Sequence, residues 1–190
     1  VAVARPLSCP GVDVVRIDDQ GGIVMAVDHL VSLGHRRIMH VDGGTAPSSS
    51  ERRDGYLKAM EVHDLHEEAV VIPGGLEQSH GVHAAEAILA GGPLPTAITA
   101  FNDRLAFGII QGLFMAGINV PKQVSVVGFD NARRHDAGLV PLTTIDQNPS
   151  LMAQLALERA VGRAADRYLP TQQVLVPHLV ERASTSSVSS

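Results

Sequence analysis

Short apolar runs alternate along this chain with stretches where apolar residues return every third or fourth position, the two periods that separate strands from helices. Val12 to Ile17 is the first run. From Ile23 to Leu33 the pattern puts Ile23, Val27 and Leu30 on one helical stripe, and Gly34 follows where a glycine ends a helix. Arg37 to Asp42 predicts a strand entering a Gly43-Gly44 loop. Ser48 and Glu51 have the spacing of a capping box, which predicts a helix carrying Arg52, Tyr56, Ala59 and Met60. Ala69 to Ile72 predicts a strand, and Ser79 caps a helix through Leu89 that Gly91-Gly92-Pro93 stops. Thr96 to Phe101 is a strand, with Asn102 or Asp103 capping a helix from Arg104 to Ala116. Two more strands are predicted at Val124 to Phe129 and Leu142 to Ile145. Asn148 before Pro149 reads as an N-cap with proline at the first helical position, opening a long helix to Leu169 that Pro170 terminates. A last strand is predicted from Val174 to Val180. Ala183 to Ser190, small and polar, is expected to be a disordered tail.

Alternation of this kind implies parallel strands joined by right-handed crossovers, an α/β doubly wound parallel sheet. The strands are continuous apolar runs, as a sheet covered by helices on both faces requires. Of 190 residues 45% are hydrophobic, enough for a sizeable core. Fifteen Lys and Arg against twenty Asp and Glu give a net charge of -5, which argues against unaided binding to a phosphate backbone. The charged fraction, 18%, is below the usual quarter and implies surface covered by a partner or a second lobe. A single cysteine, Cys9, cannot form an internal disulfide and suits a reducing, cytoplasmic compartment. The chain starts at Val1 without a basic, then apolar, leader, and no run approaches the length of a membrane span. A soluble piece of something longer is therefore expected.

In open α/β sheets ligands bind beyond the carboxyl ends of the strands. There the sequence places Ser48 and Arg52, Glu77, Asn102 and Asp103, Asp130 and Asn131, and Gln147. One guanidinium with amides, carboxylates and a hydroxyl suits a polyhydroxylated or zwitterionic small molecule, whose groups need donors and acceptors in place of water. The competing reading makes these residues helix caps and turns, which accounts for Ser48, Asn102 and Asp103 but not for Arg52 and Asp130. Nucleophile-elbow, zinc-protease and phosphate-loop motifs are absent, so no catalysis and no cofactor are expected. His63/His66 and His80/His83 have helical spacing but no matching third ligand, and no metal is expected. His29, His35 and His40 are read as serving turns and strand edges. The Arg104 to Ala116 helix is apolar nearly all round, and Phe107 on its outer side is a candidate dimer contact.

Several segments, in order, resemble one known family. They are His29-Leu30 through Leu33-Gly34-His35-Arg36-Arg37-Ile38, Arg52 with Gly55-Tyr56, Pro95 to Ile98 through Asn102-Asp103, Val120-Pro121 with Val124 to Asp130, and Pro141 to Ile145 with Gln147. As a set they resemble the LacI/GalR transcriptional repressors. That resemblance implies a two-lobed core like that of periplasmic sugar-binding proteins, of which this chain is mainly the C-terminal lobe. It also implies a boundary scheme: 1–17 as a remnant of the N-terminal lobe, 18–146 as the C-terminal lobe, 147–170 as a crossover helix of the N-terminal lobe, 171–182 as the last strand of the C-terminal lobe, and 183–190 as the tail.

By the same resemblance Arg52 and Asp130 are the usual effector-contacting pair, Asn102 a third contact, Ser48 a more variable one, and Gln147 a residue at the crossover. Two positions depart from the family pattern. Leu76 stands where several members place a stacking aromatic, and Gly138, within Arg133 to Leu139, stands where an aromatic dimer contact often sits. The implied function is that of the effector-sensing, dimerising region of a regulator answering a small polar metabolite, a sugar or sugar derivative. A homodimer is implied, with operator DNA contacted through a headpiece outside this sequence. Without the facing lobe these 190 residues are expected to hold effector weakly. A periplasmic sugar-binding protein of a transport system is the alternative.

Overall fold

The computed structural model describes residues 1–3, 11–132, 140–165 and 171–188. Cys9, the segment from Arg133 to Leu139 with Gly138, and the predicted helix end at Leu169 and Pro170 lie outside the described residues. In chain order the elements are β1 (Ala2–Val3), β2 (Val14–Ile17), α1 (Asp19–Ser32), β3 (Ile38–Val41), α2 (Ser49–Val62), a short 3-10 turn (His66–Glu68), β4 (Val70–Ile72), α3 (Gln78–Ala90), β5 (Ala97–Ala100), α4 (Asp103–Met115), β6 (Ser125–Asp130), β7 (Thr143–Asp146), α5 (Pro149–Ala164), β8 (Gln172–Leu175) and β9 (His178–Val180).

They form two sheets. The larger has six strands in the order β4-β3-β5-β6-β7-β9, parallel except at the β7–β9 edge. Helices α1 and α2 pack together on one of its faces, burying Ile23, Val27, Leu30, Tyr56 and Met60 with Phe129 and Ile145. On the other, α3 and α4 bury Ala85, Ile88, Leu105, Ile109 and Leu113 with Ile98 and Val126. Gly81 and Gly108 let α3 and α4 touch backbone to backbone, since a Cβ on either would run into main-chain atoms of the facing helix. Sheet order reverses around β3 and β5, and such a reversal opens a crevice at the strand ends.

The smaller sheet, β1-β2-β8, carries α5. Asp13, almost wholly buried, ties these parts together. It accepts from the Thr171 amide at 3.1 Å and pairs with Arg163 at 3.3 Å.

Four expectations need correction. The single last strand is two strands, because Pro177 interrupts it: β8 joins β2 in the small sheet, and β9 runs antiparallel on β7. The segment 171–182 is therefore shared between the two sheets, and the large sheet is mixed at one edge. Helix α3 starts earlier than expected: Glu77, not Ser79, is the N-cap, in a reciprocal capping box with His80. The Ser48 and Glu51 box does not form, since Ser48 has φ +63° and its side chain caps nothing. Finally, the tail is packed from Ala183 through Val188. Ser184 is fully buried, its Oγ accepting from the Thr143 amide at 2.8 Å and donating to Val126 O at 2.6 Å. Its own carbonyl accepts from the Val126 amide at 2.8 Å, and the Val188 amide donates to Leu33 O at 3.1 Å. Small hydroxylated residues hold this path because they supply the hydrogen bonds that the end of the sheet leaves open.

His29 and His35 belong to the same arrangement. His29 Nε2 meets Thr185 Oγ1 at 3.1 Å, and His35 Nε2 donates to Ser186 O at 3.0 Å. His40 lies inside the sheet, bonded to Thr99 Oγ1 at 3.0 Å and stacked on Tyr56, rather than at a strand edge.

Candidate functional site

Arg52 is the centre of the carboxyl-end cluster. It leaves the first turn of α2 pointing inward and is 5% exposed. Nε donates to Asp19 Oδ1 at 2.9 Å, and NH2 lies 2.8 Å from the same oxygen. NH1 donates to the carbonyl of Phe101 and sits 3.8 Å from Asp130 Oδ1. The guanidinium carbon stands 3.6 Å from the ring centre of Phe129 and 4.5 Å from that of Phe101, so two aromatic faces hold the fork in plane. Breaking a buried ion pair of this type costs about 3–5 kcal/mol, because the surviving charge is left uncompensated.

Ser48 sits beside it. Freed from capping by its left-handed backbone, its hydroxyl donates to Asp19 Oδ2 at 2.9 Å. Asp130 ends β6 and keeps 37% of its side chain open to solvent while Gln147 Nε2 donates to its Oδ1. Burial pushes the Asp130 carboxyl above the ordinary carboxylate range, while the Arg52 charge and the Gln147 hydrogen bond pull it back. Ser48, Arg52, Asp130 and Gln147 thus meet on one rim.

Asn102 is near that rim, and both ends of its amide already have a partner within the chain. Its Oδ1 caps α4 by accepting from the Leu105 amide at 2.8 Å, and its Nδ2 donates to Leu76 O at 3.1 Å. The capping reading accounts for it. Glu77 is exposed and pairs with Arg104 at 3.1 Å. The Leu76 side chain is exposed beside this corner. Phe107 is half-buried against the core beneath α3 and α4, whereas Phe114 and Met115, at the end of α4, are the exposed apolar residues of that helix.

Asp19, Phe101 and Phe129 were not among the expected site residues. Asp19 opens α1 just past the end of β2, so the strand-end rule that selected the others applies to it as well. Phe101 and Phe129 lie at the carboxyl ends of recognised apolar runs, where nothing in the sequence separates an aromatic that stacks on an arginine from one that fills the core. Among the described residues no group of three His, Cys, Asp or Glu side chains is placed to hold a metal. His63 instead faces Asp28 at 2.6 Å.

Residues 27–185 match the Periplasmic binding protein-like domain family. The HTH-type transcriptional regulator DegA of Bacillus subtilis is 36% identical over 181 residues, 93% of this chain and 53% of that protein, so the chain spans about half the length of this curated relative. A crystal structure of a LacI transcriptional regulator from a Rhodococcus species superposes with a TM-score of 0.93 at 42% identity, covering 99% of this chain and 70% of that one. A LacI family transcriptional regulator from Enterococcus faecium with bound ribose superposes with a TM-score of 0.91 at 28% identity, covering 98% and 68%. Fold and matched segments agree: the chain belongs to the periplasmic-binding-protein-like domain family, in the form carried by the effector-binding region of LacI/GalR transcriptional regulators.

Proposed function

We propose that this chain senses a neutral, polyhydroxylated metabolite, a sugar or sugar derivative, within a dimeric LacI-type repressor. The observation that carries the reading is the rim itself. Asp130 presents a partly open carboxylate at the strand ends, braced by Gln147 and facing an arginine that Asp19 already neutralises. Two carboxyl groups against one guanidinium disfavour an anionic ligand and favour hydroxyl donors, which a carboxylate accepts in pairs. The bound ribose of the Enterococcus faecium relative supports the same class.

In this reading the six-stranded sheet and its helices are the C-terminal lobe. The β1-β2-β8 sheet with α5 belongs to the N-terminal lobe, whose remainder would close the cleft from the other side. Effector would act by binding one relative orientation of the lobes more tightly than the other, since only differential affinity shifts such an equilibrium. Operator DNA would be met through a headpiece outside this chain, which fits a net charge of -5. Dimerisation would use the α3–α4 side, with Phe107 at its margin, and the site of action would be the cytoplasm. Among the described residues no helix is long and apolar enough to cross a membrane.

A thermal-shift screen of neutral sugars, sugar phosphates and amino acids on the full-length regulator tests this. A neutral polyol that raises Tm, with the rise abolished in Asp130→Ala, is the expected result. A response to sugar phosphates alone, or one that Asp130→Ala leaves intact, would refute the reading.

A further inference from the structure

Behind the rim lies a second polar cluster. Asp103 opens α4 and is 2% exposed, yet it does not cap the helix, because Asn102 does. Its carboxylate points at the sheet instead. Oδ2 accepts from the Ala132 amide at 2.7 Å and Oδ1 accepts from the Thr144 hydroxyl at 2.5 Å. Gly128 makes room for it, since a Cβ there would collide with Asp103 Oδ1 and lie 2.8 Å from Leu142.

The turn that Asp103 grips is the one presenting Asp130. Asp130 has φ +120° and Asn131 φ +51°, a backbone that L residues keep only when their surroundings force it. Asn131 is braced on its other sides. Its amide donates to Thr144 Oγ1 at 3.4 Å and its Nδ2 to Asp146 Oδ2 at 2.9 Å, while its Oδ1 accepts from Arg182 NH2 at 2.7 Å. Arg182 is fixed in turn, donating through NH1 to Leu142 O at 2.6 Å.

We infer that Asp103 is a positioning residue: seated in the Gly128 recess, it clamps the Ala132 amide and Thr144 and so holds Asp130 in the left-handed turn that aims its carboxylate at the cleft. The inference rests on the reading that Asp130 contacts the effector, but its geometric content is separate and can be measured without any ligand. Asp103 touches neither the rim nor solvent, so apart from the field of its charge at Asp130 it acts on the rim through the turn. Burial, reinforced by the nearby Asp130 charge, pushes its carboxyl up to about 6 against the pull of Thr144, the Ala132 amide and Arg182. The cluster thus keeps a costly acid in place, and the recess at Gly128 is shaped to receive it.

The test is NMR on the full chain, comparing wild type, Asp103→Asn and Gly128→Ala. The three-bond amide-to-Hα coupling of Asp130 is small at its observed φ and large in ordinary extended backbone. Both variants should raise it, and the Ala132 amide should exchange with solvent at least tenfold faster, while amides of Ala26 and Val27 in α1 keep their wild-type protection. Gly128→Ala reaches the same end by expelling Asp103, so agreement between the two variants separates positioning from a local charge effect. An unchanged Asp130 coupling and unchanged Ala132 exchange in a folded Asp103→Asn protein would overturn the inference. In a parallel titration, D-ribose serves as the ligand probe. If wild type fails to respond to neutral sugars while the couplings move as described, the effector reading fails and the positioning of Asp130 stands.

Discussion

His40 shows how far a single side chain can tie stability to pH. Fully buried on β3 between β4 and β5, it bonds Thr99 through Nδ1, while Nε2 has no hydrogen-bonding partner among the described residues. Burial lowers its pKa to about 4, with the Asp42 charge opposing and those of Arg52 and Arg53 assisting. A folded value below the unfolded 6.5 means the neutral ring is favoured in the native state. The contribution is therefore fully present above pH 6.5 and lost as pH falls toward 4, on the order of 3 kcal/mol across that window. His40→Gln keeps a hydrogen bond to Thr99 and cannot titrate there. Urea denaturation from pH 7 to 4 should show wild type losing stability relative to the variant by roughly that amount. Parallel pH profiles would contradict this account. Arg52 illustrates the other case at this scale, a charge kept buried because Asp19, the Phe101 carbonyl and two aromatic faces replace its water.

At the scale of elements, the packed C-terminal segment behaves as an extra rail along β6 and β7. Ser184 is its anchor, and Ser184→Ala leaves the buried Thr143 amide without its acceptor, a loss of about 1–3 kcal/mol. Chemical denaturation should find that cost, together with faster hydrogen exchange at Thr143 and Val126. A variant as stable and as protected as wild type would count against the rail. This segment also marks where sequence reading stopped. Apolar period and cap signals located α1 to α5 and the strands β2 to β7, because burial on one face or two leaves a periodic trace, whereas the break between β8 and β9 left none. The tail carries no such trace: its order comes from hydroxyls and carbonyls meeting partners more than forty residues away. The Ser48 and Glu51 spacing misled for a related reason. A hydroxyl that fits a local cap went instead to Asp19, a partner in another element. The rim was legible in part, since Arg52 and Asp130 lacked a capping explanation. Asp19 was passed over, and Asn102 proved to be the cap that its position allowed.

For the whole molecule, two sheets of unequal size meet at a cluster built from both. Asp19 follows β2 of the small sheet, Arg52 follows β3, Asp130 ends β6, and Gln147 follows β7 on the way to α5. A ligand gripped there touches the very segments through which the chain passes from one sheet to the other, which is where occupancy can bias a lobe orientation. The apolar side chains left open on α5 and β8, among them Leu157, Val161 and Val174, lie on the small-sheet side, away from this rim. The central claim is that Ser48, Arg52, Asp130 and Gln147 act as one effector grip. Amide chemical-shift mapping on the full-length regulator, with the sugar that gives the largest thermal shift, tests it most directly. The account predicts that the strongest saturable changes fall at residues 48–52, 130–131 and 147, and that Asp130→Ala removes them; changes centred on the exposed faces of α2 or α5, with those residues silent, would contradict it.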